Sequence, residues 1–365
     1  MKPESRLLFS EFPSAGYTDW KKAAQQELNN QDPETTLAWQ VADLQGKPYY
    51  DSAPFILHAG PVPASITLPQ VTVLQTSQAN SLALQHLRGG ADGICFRFAA
   101  TIQEITFHDL LTEIEWPWCH LAFLLQEPDE SLVAALQNFL NEKKFDKHSL
   151  SGALYFQTFP HHPQVLHKLV HTVDEQRKLL PLGIVLPDGT FTESVARALA
   201  QATKLIIRLQ AHHLPAEKTV PSITFATETG TDFFLEAARL RALRWLWFQI
   251  AQAFGIKNYQ PADLFIHSIS PAWNPERYHP HANLIKGTIS AMAALAGNCN
   301  ALTVIPEQED DERLARIARN ISLLLREESC FQQVSDPLAG SYYLENLTAQ
   351  IAEKAWQKFQ TLVRA

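Results

Sequence analysis

The chain has 365 residues, 46% hydrophobic and 19% charged, enough apolar material to bury one large α/β core or two ordinary ones. Its 30 Lys and Arg against 38 Asp and Glu leave a net charge of −8, and no cationic cluster interrupts that balance, which excludes the electrostatic footprint of a nucleic-acid or anionic-membrane binder. No apolar run approaches the eighteen or so residues of a membrane helix, and Leu7 to Phe9 is too short for a signal-peptide core, so the cytoplasm is the expected compartment.

Residues 1–65 carry turn chemistry at FPSAGY, QDPETT, GKPYYDSAP and GPVPAS, with one amphipathic helix in DWKKAAQQELNN (19–30). Such a segment is expected to be an arm rather than a domain, laid over a partner surface in preference to its own barrel. From residue 66 onward short apolar runs alternate with helix-patterned stretches. VTVLQT (71–76) precedes a helix in 79–90, GICFRF (93–98) and HLAFLLQ (120–126) follow, and a helix in 130–144 leads to GALYFQ (152–157). LPLGIVL (180–186), a helix in 191–206, SITFATE (222–228), LFIHSIS (264–270), a helix in 281–297 and ALTVIP (301–306) complete the series. Strand and helix in alternation argue for a parallel sheet, and eight repeats argue for its closure into a (β/α)8 TIM barrel over 66–365 with an extended N-terminal arm over 1–65.

Local signals agree with these boundaries. Asp129 to Ser131 open a helix, Gly89–Gly90 and Gly297 each close one, and Pro117 stands just ahead of a strand, where the missing N–H is tolerated. Cys95, Cys119, Cys299 and Cys330 are scattered without a C-x-x-C pair and are expected to be free, buried thiols. The adjacent pairs His161–His162 and His212–His213, and His279 with His281, have no Cys or carboxylate in ligand spacing and are expected in solvated loops. In EAARLRALRW (236–245), Glu236 is placed to pair with Arg239 at i,i+3 while Phe233, Leu240, Leu243 and Trp247 form a core stripe; one of the arginines is allowed to face a partner.

In such a barrel the chemistry belongs at the carboxyl ends of the strands. The first strand ends in Leu74, Gln75, Thr76 and Ser77, the second in Arg97 and Phe98, the third in Gln126 and Glu127. Catalytic groups are sparse there.

The run ERLARIARNISLLLREES (312–329), the turn SDPLAGSYYLENLT (335–348), the helix AQIAEKAWQKF (349–359) and TETGTDFFLEAARLRALRWLW (227–247) resemble the barrel of the methylmalonyl-CoA mutase family. LQTSQANSLALQHLRGGADGICF and LTVIPEQED (302–310) resemble the family's small, non-catalytic subunits, a likeness that covers about the last 300 residues. Active members carry R-Q-Y-A-G-F at the first strand, which has no counterpart here, and G-Y-H-M-Q-E-A-G at the fifth, where Ile184 or a neighbour takes the histidine's place. Their R-L-S-F-F maps onto Ser222 for the Arg and Thr224 for the Ser; their H-C-Q maps onto His267 and Ile269. The resemblance therefore implies a non-catalytic small subunit. His267 and Thr224 would be its residual substrate contacts, it would have no catalytic residue and no metal, and it would lack the D-x-H-x-x-G cobalamin domain. It also implies a catalytic large subunit as partner, which would carry adenosylcobalamin and interconvert methylmalonyl-CoA and succinyl-CoA, with an acyl-CoA as the further ligand. The alternatives are an acyl-CoA-binding barrel of a split mutase and a free-standing CoA-ester-binding protein.

Overall fold

The computed structural model describes residues 15–54, 60, 62–98, 106–146, 148–159, 163–174, 176, 178–274, 279, 281–331 and 333–364. All eight predicted barrel strands are present and parallel. Strands one to eight are, in chain order, Gln70–Val73, Gly93–Phe98, His120–Leu125, Ser151–Phe156, Lys178–Val185, Ile223–Glu228, Ile266–Ile269 and Ala301–Thr303. Each pairs with its neighbour in that order.

Closure depends on a short stretch preceding Gln70. Ile66–Thr67 pairs with Ala301 and Leu302 of strand eight, whereas Gln70 to Val73 pairs with Cys95 to Phe98 of strand two. Leu68 N donates to Leu302 O at 2.9 Å on one side, and Pro69 O accepts from Cys95 N at 3.0 Å on the other. Residues 66–73 thus form one strand that changes neighbour in its middle, and Pro69, which has no N–H to donate, sits at the change. The sheet has no free edge, so the fold is an α/β barrel of the TIM type.

Apolar side chains fill both sides of the sheet. Outside, the cover divides into two clusters. The smaller joins strands one to four to the helices Thr76–Arg88, Phe107–Leu110 and Glu130–Lys143 through residues such as Phe96, Phe123, Trp116 and Phe139. The larger joins strands five to eight to Phe191–Ala211, Phe233–Ala253, Ala282–Ala296, Glu312–Glu327 and Tyr342–Arg364 through Leu199, Leu243, Trp247, Ile351 and others. Side-chain caps start several helices, the first of them at the Asp129 that the sequence suggests. Asp129 accepts from Leu132 N at 2.7 Å, Thr190 and Glu193 form a capping box, and Asp311 accepts from Leu314 N at 3.0 Å. After Ala282–Ala296 the left-handed residue is Asn298 (φ 64) and not Gly297.

A hairpin, Trp39–Val41 with Leu44–Gly46, lies on the chain's own barrel and not on a free surface. Leu44 is fully buried in the larger cluster, and the Asp43 carboxylate meets Thr192 Oγ1 and Lys358 Nζ, both at 2.9 Å. Ahead of it the helix Tyr17–Glu27 buries no residue and is held by Tyr17, Trp20 and Tyr49, whose ring centroids lie 5.1–5.8 Å apart. Among the described residues no helix is long and apolar enough to cross a membrane.

All four cysteines are free, but only Cys95 and Cys299 are buried; Cys119 is half-buried and Cys330 is exposed. The three arginines of Phe233–Ala253 all turn inward. Arg239 pairs with Glu236 as its spacing predicts, Arg241 with Asp336 and Glu345, and Arg244 donates to Pro261 O, Leu264 O, Asn298 O and Asn300 Oδ1. In the DPLAGSYY turn Gly340 is left-handed (φ 82), and its N–H donates to Glu345 at 3.1 Å.

Candidate functional site

Alternation along each strand decides which side chains meet on the barrel axis. Leu68, Cys95, Ala122, Ala153, Tyr155, Ala226 and Ala301 form a closed apolar cluster there, with Leu124, Leu180, Val185 and Ile269 against it. Tyr155 is the largest of these. It crosses toward strands five and six because Gly183 has no side chain: a Cβ there would lie 2.5 Å from Leu154 O and from the Tyr155 ring. A bulge in strand five between its pairings with Ala153 and Tyr155 sets that register.

Both candidate substrate contacts, His267 and Thr224, lie inside this column and meet at Tyr155. The Tyr155 hydroxyl is 3.4 Å from Thr224 Oγ1, and its ring centroid is 5.5 Å from that of His267. Thr224 Oγ1 donates to Phe265 O at 2.7 Å, and His267 Nε2 lies 2.8 Å from Thr303 Oγ1. Both residues have 0% exposure. Burial, with a smaller contribution from His120, pushes the His267 imidazole down to about 3, so it is neutral at physiological pH. His120 lies toward the amino-terminal end of the barrel, stacked on Phe265 at 5.1 Å, and burial lowers it to about 4.

At the mouth the polar groups face one another. Glu309, in the loop after strand eight, accepts from Gln70 Nε2 at 2.7 Å and Thr72 Oγ1 at 2.5 Å, so it ties the last strand's loop to the first strand. Glu228, at the end of strand six, lines a cleft of about 330 Å³ with Asp188, Thr227, Glu236 and Arg239. Burial, then Asp188 and Glu236, raise the Glu228 carboxyl above the usual carboxylate range, opposed by Arg239 and Arg97. Arg239 is committed to Thr227 Oγ1, Glu228 O and Glu236 and has little left for a ligand. Ile184 is fully buried, and Ser222 donates to Lys218 O at 2.6 Å. Neither position offers an imidazole or a guanidinium.

Sequence reasoning gave no role to Glu228 or Glu309. Glu228 closes an otherwise apolar strand and was legible as a strand-end carboxylate; Glu309, inside the acidic run EQEDDE, has no local signal separating it from solvated neighbours. His161 and His162 lie outside the described residues. Among the described residues no three His, Cys, Asp or Glu side chains converge as metal ligands.

The methylmalonyl-CoA mutase family matches residues 188–365. Over 98% of its length the chain is 28% identical to the methylmalonyl-CoA mutase small subunit of Porphyromonas gingivalis, of which it covers 64%. Over 46% of its length it is 33% identical to the small subunit of Propionibacterium freudenreichii subsp. shermanii, covering 27% of it, and 35% identical to that organism's large subunit, covering 23%. The chain therefore spans less than two thirds of each of these relatives.

Proposed function

We propose that this chain, whose residues 188–365 match the methylmalonyl-CoA mutase family, is a small, non-catalytic subunit that pairs with a catalytic large subunit interconverting methylmalonyl-CoA and succinyl-CoA. The observation that carries this reading is the closed barrel axis. Tyr155, Leu124, Val185 and Ile269 pack across it, and His267 is sealed beneath them in the neutral form with no exposed surface. A general acid or a hydrogen-bond donor must reach the reacting atoms; His267 Nε2 and Thr224 Oγ1 instead face Thr303, Phe265 and Tyr155, and His267 Nδ1 is buried without a hydrogen-bond partner among the described residues.

Adenosylcobalamin is assigned to the partner. The imidazoles facing the barrel interior, His120 and His267, are buried below the mouth, and the mouth's own groups Gln70, Thr72 and Glu309 satisfy one another, so the described barrel interior and mouth do not fit a cobalt ligand or a corrin platform. No chemical step is assigned to this chain. Its contribution in this reading is assembly, through an obligate interface of well over ~2,000 Å².

Co-expression with a mutase large subunit tests it. Native mass spectrometry is expected to give a one-to-one complex, and substitution of His267 or Glu228 is expected to leave turnover by that complex within about twofold. Saturable acyl-CoA binding or turnover by the isolated chain with added cobalamin would instead support the acyl-CoA-binding alternatives.

A further inference from the structure

On the helix Gln164–Thr172, His167 and His171 are one turn apart and share a face. Their ring centroids are 4.5 Å apart with the planes tilted by 51°. The neighbouring helix Phe191–Ala211 runs back to the same, amino-terminal end of the barrel and ends at His212, followed by His213 in the left-handed conformation (φ 66). The buried Leu214 anchors that turn. The turn pair thus stands toward the same end of the barrel as the helix pair, although among the described residues no three of these imidazoles converge on one point.

We propose that His167 and His171 form a chelating site for a divalent transition-metal ion of the Zn²⁺, Ni²⁺ and Cu²⁺ class, with His212 and His213 alongside. Two imidazoles at i,i+4 on one helical face deliver nitrogen lone pairs to a common point about 2.0–2.1 Å from each, and imidazole selects these ions over Mg²⁺ or Ca²⁺. His171, His212 and His213 are exposed and His167 half-buried, so an ion can enter from solvent. The charged groups that flank the pair in sequence are paired elsewhere, Lys168 with Glu130 at 3.0 Å and Asp174 with Lys218 at 2.8 Å. Because no third ligand is already in place among the described residues, water or one of the two turn histidines completes the coordination.

Isothermal titration of the full chain, freed of any histidine tag and pre-treated with chelator, with ZnCl₂ at neutral pH should show one saturable site in the micromolar range and no heat with MgCl₂. His171→Ala should weaken Zn²⁺ binding by about tenfold or more, and His212→Ala with His213→Ala by less, since those residues only complete the shell. None of these side chains is fully buried, so circular dichroism should match the parent. Absence of saturable binding up to millimolar Zn²⁺ would overturn the proposal. So would unchanged affinity after His167→Ala with His171→Ala, or a larger loss from the turn pair than from the helix pair.

Discussion

Arg241 is 1% exposed and reaches two carboxylates from distant parts of the chain, Asp336 and Glu345, the second with no exposure at all. Removing one partner of a buried pair strands the other without solvent, so Arg241→Ala is expected to cost about 3–5 kcal/mol, read as a fall in the midpoint of urea unfolding. A loss below about 1 kcal/mol would mean that water reaches Glu345 in the variant. The pairing of Glu236 with Arg239 was legible because both lie on one helix; the partners of Arg241 were not, since nothing local in the sequence connects it to a turn near residue 336. The buried histidines give a second expectation. His267 is held at about 3, and His120 and His86 at about 4, in each case mainly by burial. The fold keeps all three neutral while the unfolded chain protonates them below about 6.5. Their stabilising contribution is therefore complete above that value and is lost as pH falls toward 4, by up to about 1.4 kcal/mol per pH unit for each histidine. Urea midpoints at pH 7, 6 and 5 should fall progressively, and His267→Gln should flatten that slope.

Among the elements, the eight barrel strands were readable because a strand buried on both faces is a nearly continuous apolar run. The hairpin Trp39–Val41 and Leu44–Gly46 was not. Its strands have three residues each, too few to establish a period of two, and their outer positions are exposed. What holds the arm is Leu44 in the core and Asp43 on Lys358 and Thr192, contacts with residues about 150 or more positions away. Leu44→Ala should cost about 2–5 kcal/mol locally, enough to release the hairpin while the barrel stays folded. Hydrogen exchange would then show residues 39–46 losing protection with strands one to eight unchanged; global loss of protection would make the hairpin part of the barrel's cooperative unit.

For the whole molecule, the division of the outer core into two clusters predicts unequal stability. The larger cluster contains five helices of fifteen residues or more, and the family match over 188–365 falls on that half. The smaller depends on shorter helices over strands one to four. Urea unfolding followed by hydrogen exchange should release strands one to four before strands five to eight, and a single coincident transition would show that the axial column around Tyr155 couples the halves fully. The candidate site was only half legible at this scale. His267 and Thr224 could be assigned to strands seven and six from sequence, but their burial depends on Tyr155 from strand four and on Gly183, which no local pattern connects to them.

The strand formed by residues 66–73 has a consequence for how the protein is made. Its front half finds its ladder partner only in Ala301 and Leu302, so on the ribosome that pairing waits for almost all of the intervening chain to be synthesised, roughly 10–50 s at ordinary elongation rates, although Thr67 can already meet Asp92. Through that interval the nascent chain presents an unpaired strand edge, of the kind that recruits chaperones or a neighbouring chain. Abundance in the cell should therefore depend on what covers that edge during synthesis as much as on the stability of the finished barrel.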